Sequence, residues 1–264
     1  EPPVDRPAPG AGSRAPSVEP SVADSPAADS AAVEPVVADF LATDVSAADS
    51  SAVDSSAAPS ASAECRVYET RHLEGHPPVL DGRLDDPAWA LVPWGGGFTQ
   101  RSPYQGEPPT QPTQFKILYG ADAMYLGFRC HDDEPARIER QLARRDWFPG
   151  DWVEVNLDSR GDHRTAFSFT TSASGVRGDE YVSEDGNIWD TSWDPVWQAA
   201  TSVDSAGWSA EIRIPFSQLR FSDTAEEGWG LQVTRRIFRR EERSVWQYIP
   251  EDAPGWVSSF GELR

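Results

Sequence analysis

The sequence predicts an all-β protein: one antiparallel β-sandwich over residues 65–264, preceded by a disordered N-terminal segment over residues 1–64. Three observations predict it. Composition changes abruptly near residue 64. Apolar residues beyond that point recur with period two. Helix signals are sparse. Residues 1–64 are mostly Ala, Ser, Pro, Val and Asp, with Phe40 the one aromatic, whereas all 11 Trp lie further on. A segment so poor in large side chains cannot bury enough apolar surface to offset chain entropy, so it reads as an acidic tether. The remaining 200 residues suffice for a single core.

The strands follow in order. Phe115, Ile117 and Tyr119 alternate with smaller or polar residues, and Gly120-Ala-Asp-Ala123 offers a turn. Met124, Leu126, Phe128 and Cys130 then share one face. Val153, Val155 and Leu157 oppose Glu154, Asn156 and Asp158. Phe167 and Phe169 alternate with Ala166, Ser168 and Thr170, and Trp208, Ala210, Ile212 and Ile214 with Ser209, Glu211 and Arg213. Leu231 and Val233 continue the pattern, and Ser244–Ile249 closes it. Such one-sided alternation fits antiparallel sheets with one face on a core. A short helix is expected over Pro135–Arg145, where Ile138 and Leu142 stand four apart, and a single turn over Pro215–Leu219. Trp89, Trp208 and Trp229 are expected in the core, and Trp147, Trp152 and Trp256 in exposed loops. Trp189, Trp193 and Trp197 read either as a packed loop or as the lining of a groove.

Charge narrows the partners. The net charge is −20, of which −9 falls on residues 1–64. Such a surface repels nucleic acid and anionic membranes. No apolar run approaches the roughly 20 residues of a spanning helix. A start at Glu1 without Met fits a processed N-terminus, and a tether ahead of an aromatic-rich β domain fits an exported protein, periplasmic, outer membrane-associated or extracellular. Cys65 and Cys130 lack zinc-site spacing, and both a disulfide and two free thiols are open.

Five segments carry a family resemblance. They are Pro78-Val-Leu-Asp-Gly-Arg-Leu-Asp-Asp-Pro-Ala-Trp89; Thr113–Asp132, a strand-turn-strand; Gly150-Asp-Trp-Val-Glu-Val-Asn-Leu-Asp158; Gly207-Trp-Ser-Ala-Glu-Ile-Arg-Ile-Pro-Phe216; and Trp229-Gly-Leu-Gln-Val233 with Phe260-Gly-Glu-Leu-Arg264. In this order they resemble carbohydrate-binding module family 9. Arg144-Arg-Asp146, Trp189-Asp-Thr-Ser-Trp-Asp-Pro-Val-Trp197 and Arg236-Ile-Phe-Arg-Arg-Glu241 further resemble a subgroup placed ahead of a β-barrel in bacterial outer-envelope proteins.

The resemblance implies non-catalytic carbohydrate binding in the service of carbohydrate catabolism. Two aromatic rings would clamp a terminal sugar: Trp147 or Phe148 on one side and Trp256 on the other. Glu154 would accept its hydroxyl protons. The family's sugar-bonding Arg, in the strand after Glu154, is replaced here by Ser168, with Arg164 or Arg177 as substitutes. Calcium is a candidate cofactor, with Asp132, Asp133 and Asp158 as its weak ligand candidates. The alternative function is docking to a C-terminal β-barrel of the same protein. A glycoside hydrolase would need Glu154 paired with Glu211 or Asp158 across a bond, and a haem module would use Met124, which alternates with core residues.

Overall fold

The computed structural model describes residues 64–221 and 228–264; the segment expected to be a disordered tether lies outside the described residues. Fourteen strands lie among the described residues: β1 (Val67–Tyr68), β2 (Arg71–His72), β3 (Thr99–Ser102), β4 (Thr113–Tyr119), β5 (Ala123–His131), β6 (Trp152–Asp158), β7 (Ala166–Ser172), β8 (Arg177–Ser183), β9 (Ile188–Asp190), β10 (Gln198–Asp204), β11 (Gly207–Pro215), β12 (Trp229–Ile237), β13 (Glu242–Val245) and β14 (Gly261–Leu263).

They form two sheets. The larger has the order β1-β14-β12-β6-β7-β8-β9, with β13 beside the second half of β12 and β3 outside β13. The smaller has the order β10-β11-β5-β4-β2. Pairing is antiparallel as expected, apart from two short parallel contacts, β1 with β14 and β2 with β4.

Alternation places the core. Val153, Val155 and Leu157 of β6, Phe167 and Phe169 of β7, and Leu231 and Val233 of β12 meet Phe115, Ile117, Leu126, Phe128, Trp208, Ile212 and Ile214 of the smaller sheet. Burial of these apolar side chains is the main stabilising contribution. Arg235, on the same face of β12, is wholly buried. Its guanidinium donates to the Pro112 carbonyl (3.0 Å), Thr113 Oγ1 (3.1 Å) and the His131 carbonyl (2.8 Å), so a charge inside the sandwich ties its two sheets together.

The outer face of the smaller sheet is covered by the chain between β2 and β3. Leu73, Trp89 and Val92 pack there against Leu118 and Tyr125. A Cβ at Gly127 would stand 2.6 Å from Leu84 Cδ2 and 3.3 Å from Trp89, so glycine makes the room for this strap. One carboxylate pins it. Buried Glu211 on β11 accepts hydrogen bonds from the Asp81 and Gly82 amides (3.0 and 2.9 Å) and from Trp89 Nε1 (2.9 Å). The opening Asp-Gly and Trp of the sequence motif therefore meet a glutamate 122 or more residues later.

Two expectations need correction. Pro135–Arg145 forms a single 3₁₀ turn over Pro135–Arg137, not a helix. Ile138 enters the core, Leu142 stays 78% exposed, and Arg140 bridges to Gly150; tertiary pairing overrides the four-residue spacing. Trp152, expected in an exposed loop, is only 8% exposed and opens β6. The turn after β11 is present as Phe216–Gln218. Trp89 and Trp208 are buried, and Trp229 packs at the core margin against Phe216 and Phe221. Both thiols are free: Cys65 is exposed, and Cys130 sits in the core, where burial pushes it up to about 12.

Replacing Glu211 by alanine strands three donors under the strap. Each unsatisfied buried group costs about 1–3 kcal/mol, so Glu211→Ala should lower the unfolding free energy by about 3 kcal/mol or more. Urea denaturation followed by tryptophan fluorescence checks this, and an unchanged midpoint would contradict the anchoring role.

Candidate functional site

The outer face of the larger sheet carries the polar half of each alternation. Glu154 of β6 stands in register with Thr234 of β12 on one side and Thr170 of β7 on the other. Thr234 in turn faces Val245 of β13. One step along, Trp152 is aligned with Arg236, and Arg236 with Arg243. On the other side of Glu154 lie Asn156, Ser168 and Glu180.

Three segments wall this row into a pocket. β3 brings Arg101, the β8–β9 turn and β9 bring Gly186 and Trp189, and the loop after β13 brings Trp256. With Trp152, Glu154, Thr234, Arg243 and Val245 they enclose about 160 Å³, a volume below that of drug-sized sites and suited to a single ring.

Local chemistry fixes the walls. Asp185 adopts a left-handed conformation (φ 58°). Its carbonyl accepts the Trp256 amide (2.9 Å), and its carboxylate holds the Ser258 amide and hydroxyl (2.8 and 2.7 Å). A Cβ at Gly186 would come within 2.5 Å of Trp256 Cβ, so only glycine lets the two segments approach. Trp189 donates Nε1 to the Gly186 carbonyl (2.8 Å) and remains 37% exposed. Trp256 meets Phe260 edge-on, and the Arg101 guanidinium lies 4.8 Å from the centre of its ring. The Trp256 Nε1 is buried without a partner among the described residues, as is Thr234 Oγ1.

Burial pushes the Glu154 carboxyl above its ordinary value, against the opposing pull of the Asn156 amide and Arg243. Burial also raises Glu180, joined by the Glu154, Asp146 and Asp179 carboxylates, to about 7.

The residues expected to bind sugar divide. Glu154 and Trp256 share the pocket. Trp147 is 67% exposed and is not part of its wall. Phe148 packs over Gly178 of β8, which is in register with Thr170, two strands from Glu154. Neither substitute arginine lines the pocket: Arg177 donates to the Trp197 carbonyl and Arg164 is exposed. Arg101 and Arg243 line it instead, and neither stands out in the sequence from the other arginines. The three Trp at four-residue spacing also divide. Trp197 is buried and bonds Asp179, Trp193 packs on Phe167 and Phe169, and Trp189 alone reaches the pocket.

The calcium candidates hold other partners. Asp132 pairs bidentately with Arg239 (2.8 Å twice); burial alone would raise it, yet this pair holds it below its ordinary value. Asp133 accepts from Gln111. Asp158 accepts four backbone amides between Arg160 and His163. Among the described residues no three acidic, His or Cys side chains form a metal-binding group. Glu211, one of the two carboxylates a hydrolase would pair with Glu154, lies on the other sheet beneath the strap. A larger hollow of about 630 Å³ beside β10, between Glu139–Leu142 and Thr201–Val203, has no aromatic ring in its lining.

Solved structures share the fold. A carbohydrate binding module family 9 from Caldicellulosiruptor kristjanssonii in complex with cellotriose is 17% identical, covering 75% of this chain and 93% of that one, with a TM-score of 0.52. Its complex with glucose is 17% identical, covering 74% and 94%, at 0.51. A protein of Bacteroides uniformis ATCC 8492, named for carbohydrate binding, is 12% identical, covering 75% and 98%, at 0.59. No curated protein matches the chain. The sequence model of the carbohydrate family 9 binding domain-like family matches residues 80–256, a span that runs from the strap motif under Glu211 to Trp256 at the pocket, and the chain belongs to that family.

Proposed function

We propose that this domain binds carbohydrate without catalysis, taking one sugar ring into the pocket on the outer face of the larger sheet. The observation that carries the reading is the convergence of Trp152, Trp189 and Trp256 around the half-buried carboxylate of Glu154. The C–H face of a pyranose packs on indole rings, and a carboxylate accepts neighbouring hydroxyls. Family membership supports the reading, as do the cellotriose and glucose complexes of relatives with the same fold. Trp256 and Trp189 are the proposed ring contacts and Glu154 the hydroxyl acceptor. A stacked ring contributes about 1 kcal/mol beyond the area it buries, so affinity for a single sugar should lie between micromolar and millimolar.

Calorimetric titration with glucose, cellobiose and cellotriose tests this. Trp256→Ala and Glu154→Gln should each weaken binding at least tenfold, while Trp147→Ala should change it less than twofold. Sensitivity at Trp147 with tolerance at Trp256 would move the site away from this pocket.

Ionisation of the same face yields a second expectation. Glu180 moves from an ordinary 4.5 up to about 7. A carboxylate whose folded-state pKa exceeds its unfolded value contributes stability that is fully present below the unfolded value and is lost as pH rises through the folded one. The Glu180 contribution should therefore decline between about pH 4.5 and 7, and Glu180→Gln should flatten that part of the stability curve. Thermal melts at half-unit pH steps would show it; identical slopes in both proteins would rule out Glu180 as the source.

A further inference from the structure

The pocket holds positive charge that a neutral sugar does not require. Arg236 and Arg243 face each other across β12 and β13, and Arg101 and Arg243 both line the pocket. The Arg243 guanidinium lies 5.7 Å from the centre of the Trp152 ring, as the Arg101 guanidinium does over Trp256 at 4.8 Å. None of the three has a carboxylate within 4.0 Å among the described residues, whereas Arg129, Arg137, Arg145, Arg213, Arg239 and Arg240 all do.

Their hydrogen-bonding capacity is unspent too. Among the described residues Arg101 donates only Nε, to the Ile249 carbonyl at 3.2 Å. Arg236 Nε is buried with no partner among the described residues. Burial lowers Arg236 from its ordinary value and the nearby Arg243 adds to this, with Glu241 and Asp151 opposing; burial likewise lowers Arg101, with Glu251 opposing and Arg243 adding. Glu154 is the one carboxylate in the pocket wall. In a chain of net charge −20 with acids to spare, the half-buried charges of Arg101 and Arg236 beside the exposed Arg243 lack a close counter-ion among the described residues, and an anion joining them would offset the cost of their burial.

We propose that the preferred ligand of this pocket is an anionic sugar, a uronic acid or a sulfated sugar. Its charged group is held by Arg101 and Arg243, and its ring lies against the indoles around Glu154. This rests on the sugar-binding reading above and names the class of sugar. A guanidinium fork matches carboxylate and sulfate oxygens two at a time. Arg101, half-buried against the Trp256 ring, is partly stripped of water, so it gains more from an incoming anion than a solvated arginine would, and the exposed Arg243 supplies a second fork beside it.

The test is calorimetry on the full 264-residue chain with glucose, glucuronic acid, galacturonic acid and glucose 6-sulfate. At least one anionic sugar should bind ten or more times as tightly as glucose. Arg243→Gln and Arg101→Gln should each bring that ratio to within threefold of one, and Arg243→Lys, which keeps the charge but not the fork, should retain part of it. Tight uronates with weak sulfate would identify a planar carboxylate as the group recognised, and the reverse pattern a sulfate. Glucose binding as tightly as every anionic sugar would overturn this proposal and leave the sugar site standing, as would a preference that survives both glutamine variants. If no sugar binds, the anionic preference and the underlying sugar-binding reading both fall.

Discussion

The alternation along β6 is the constraint on which the rest of the structure depends. Val153, Val155 and Leu157 must enter the core, so Glu154, Asn156 and Asp158 must leave it on the opposite face. A register slip of one residue would exchange the two sets and destroy both core and site at once. The pocket is thus the remainder of a folding requirement. The larger sheet has to present a polar outer face, and three flanking segments turn part of that face into an enclosure. The smaller sheet answers the same requirement differently: its outer face is covered by the strap that Glu211 pins.

Charge is arranged along the same division. Asp132–Arg239, Arg129–Asp204 and Arg213–Asp122 are close pairs, and Arg235 spends its donors on backbone carbonyls inside the sandwich. Burial raises the carboxyls of Glu154, Glu180 and Glu211 alike, but their surroundings differ. Glu211 is met by three donors and acts as an anchor. Glu154 has the Asn156 amide and a more distant guanidinium, which leaves acceptor capacity at the pocket floor.

Much of the fold was legible in the residues. Period-two alternation located β4 to β7 and β11 and put Glu154, with Asn156 and Asp158, on the outer face of β6; its choice as the hydroxyl acceptor came through the family resemblance. Trp256 was reachable only through the family resemblance. What stayed hidden depended on pairings between distant segments. Trp189 and Trp193 look equivalent in sequence, yet β9 adds to the edge of β8 and turns the first outward, while the second drops onto Phe167 and Phe169. Arg101 and Arg243 carry no local mark, because β3 and β13 are adjacent only once β12 has set the edge between them. The expected helix failed for a related reason: Ile138 had a core to enter and Leu142 did not.

The parallel contact between β1 and β14 has a mechanical consequence. The Glu262 amide bonds the Arg66 carbonyl at 2.7 Å, the Arg264 amide bonds the Tyr68 carbonyl at 3.0 Å, and the Thr70 amide bonds the Arg264 carbonyl at 2.7 Å. Because the two strands run the same way, tension applied between the chain before β1 and the chain end after β14 slides one strand along the other. The three bonds are then loaded together in shear instead of being opened one at a time like a zip. The domain would transmit a pull across its own seam before its core, its strap or its pocket felt any of it.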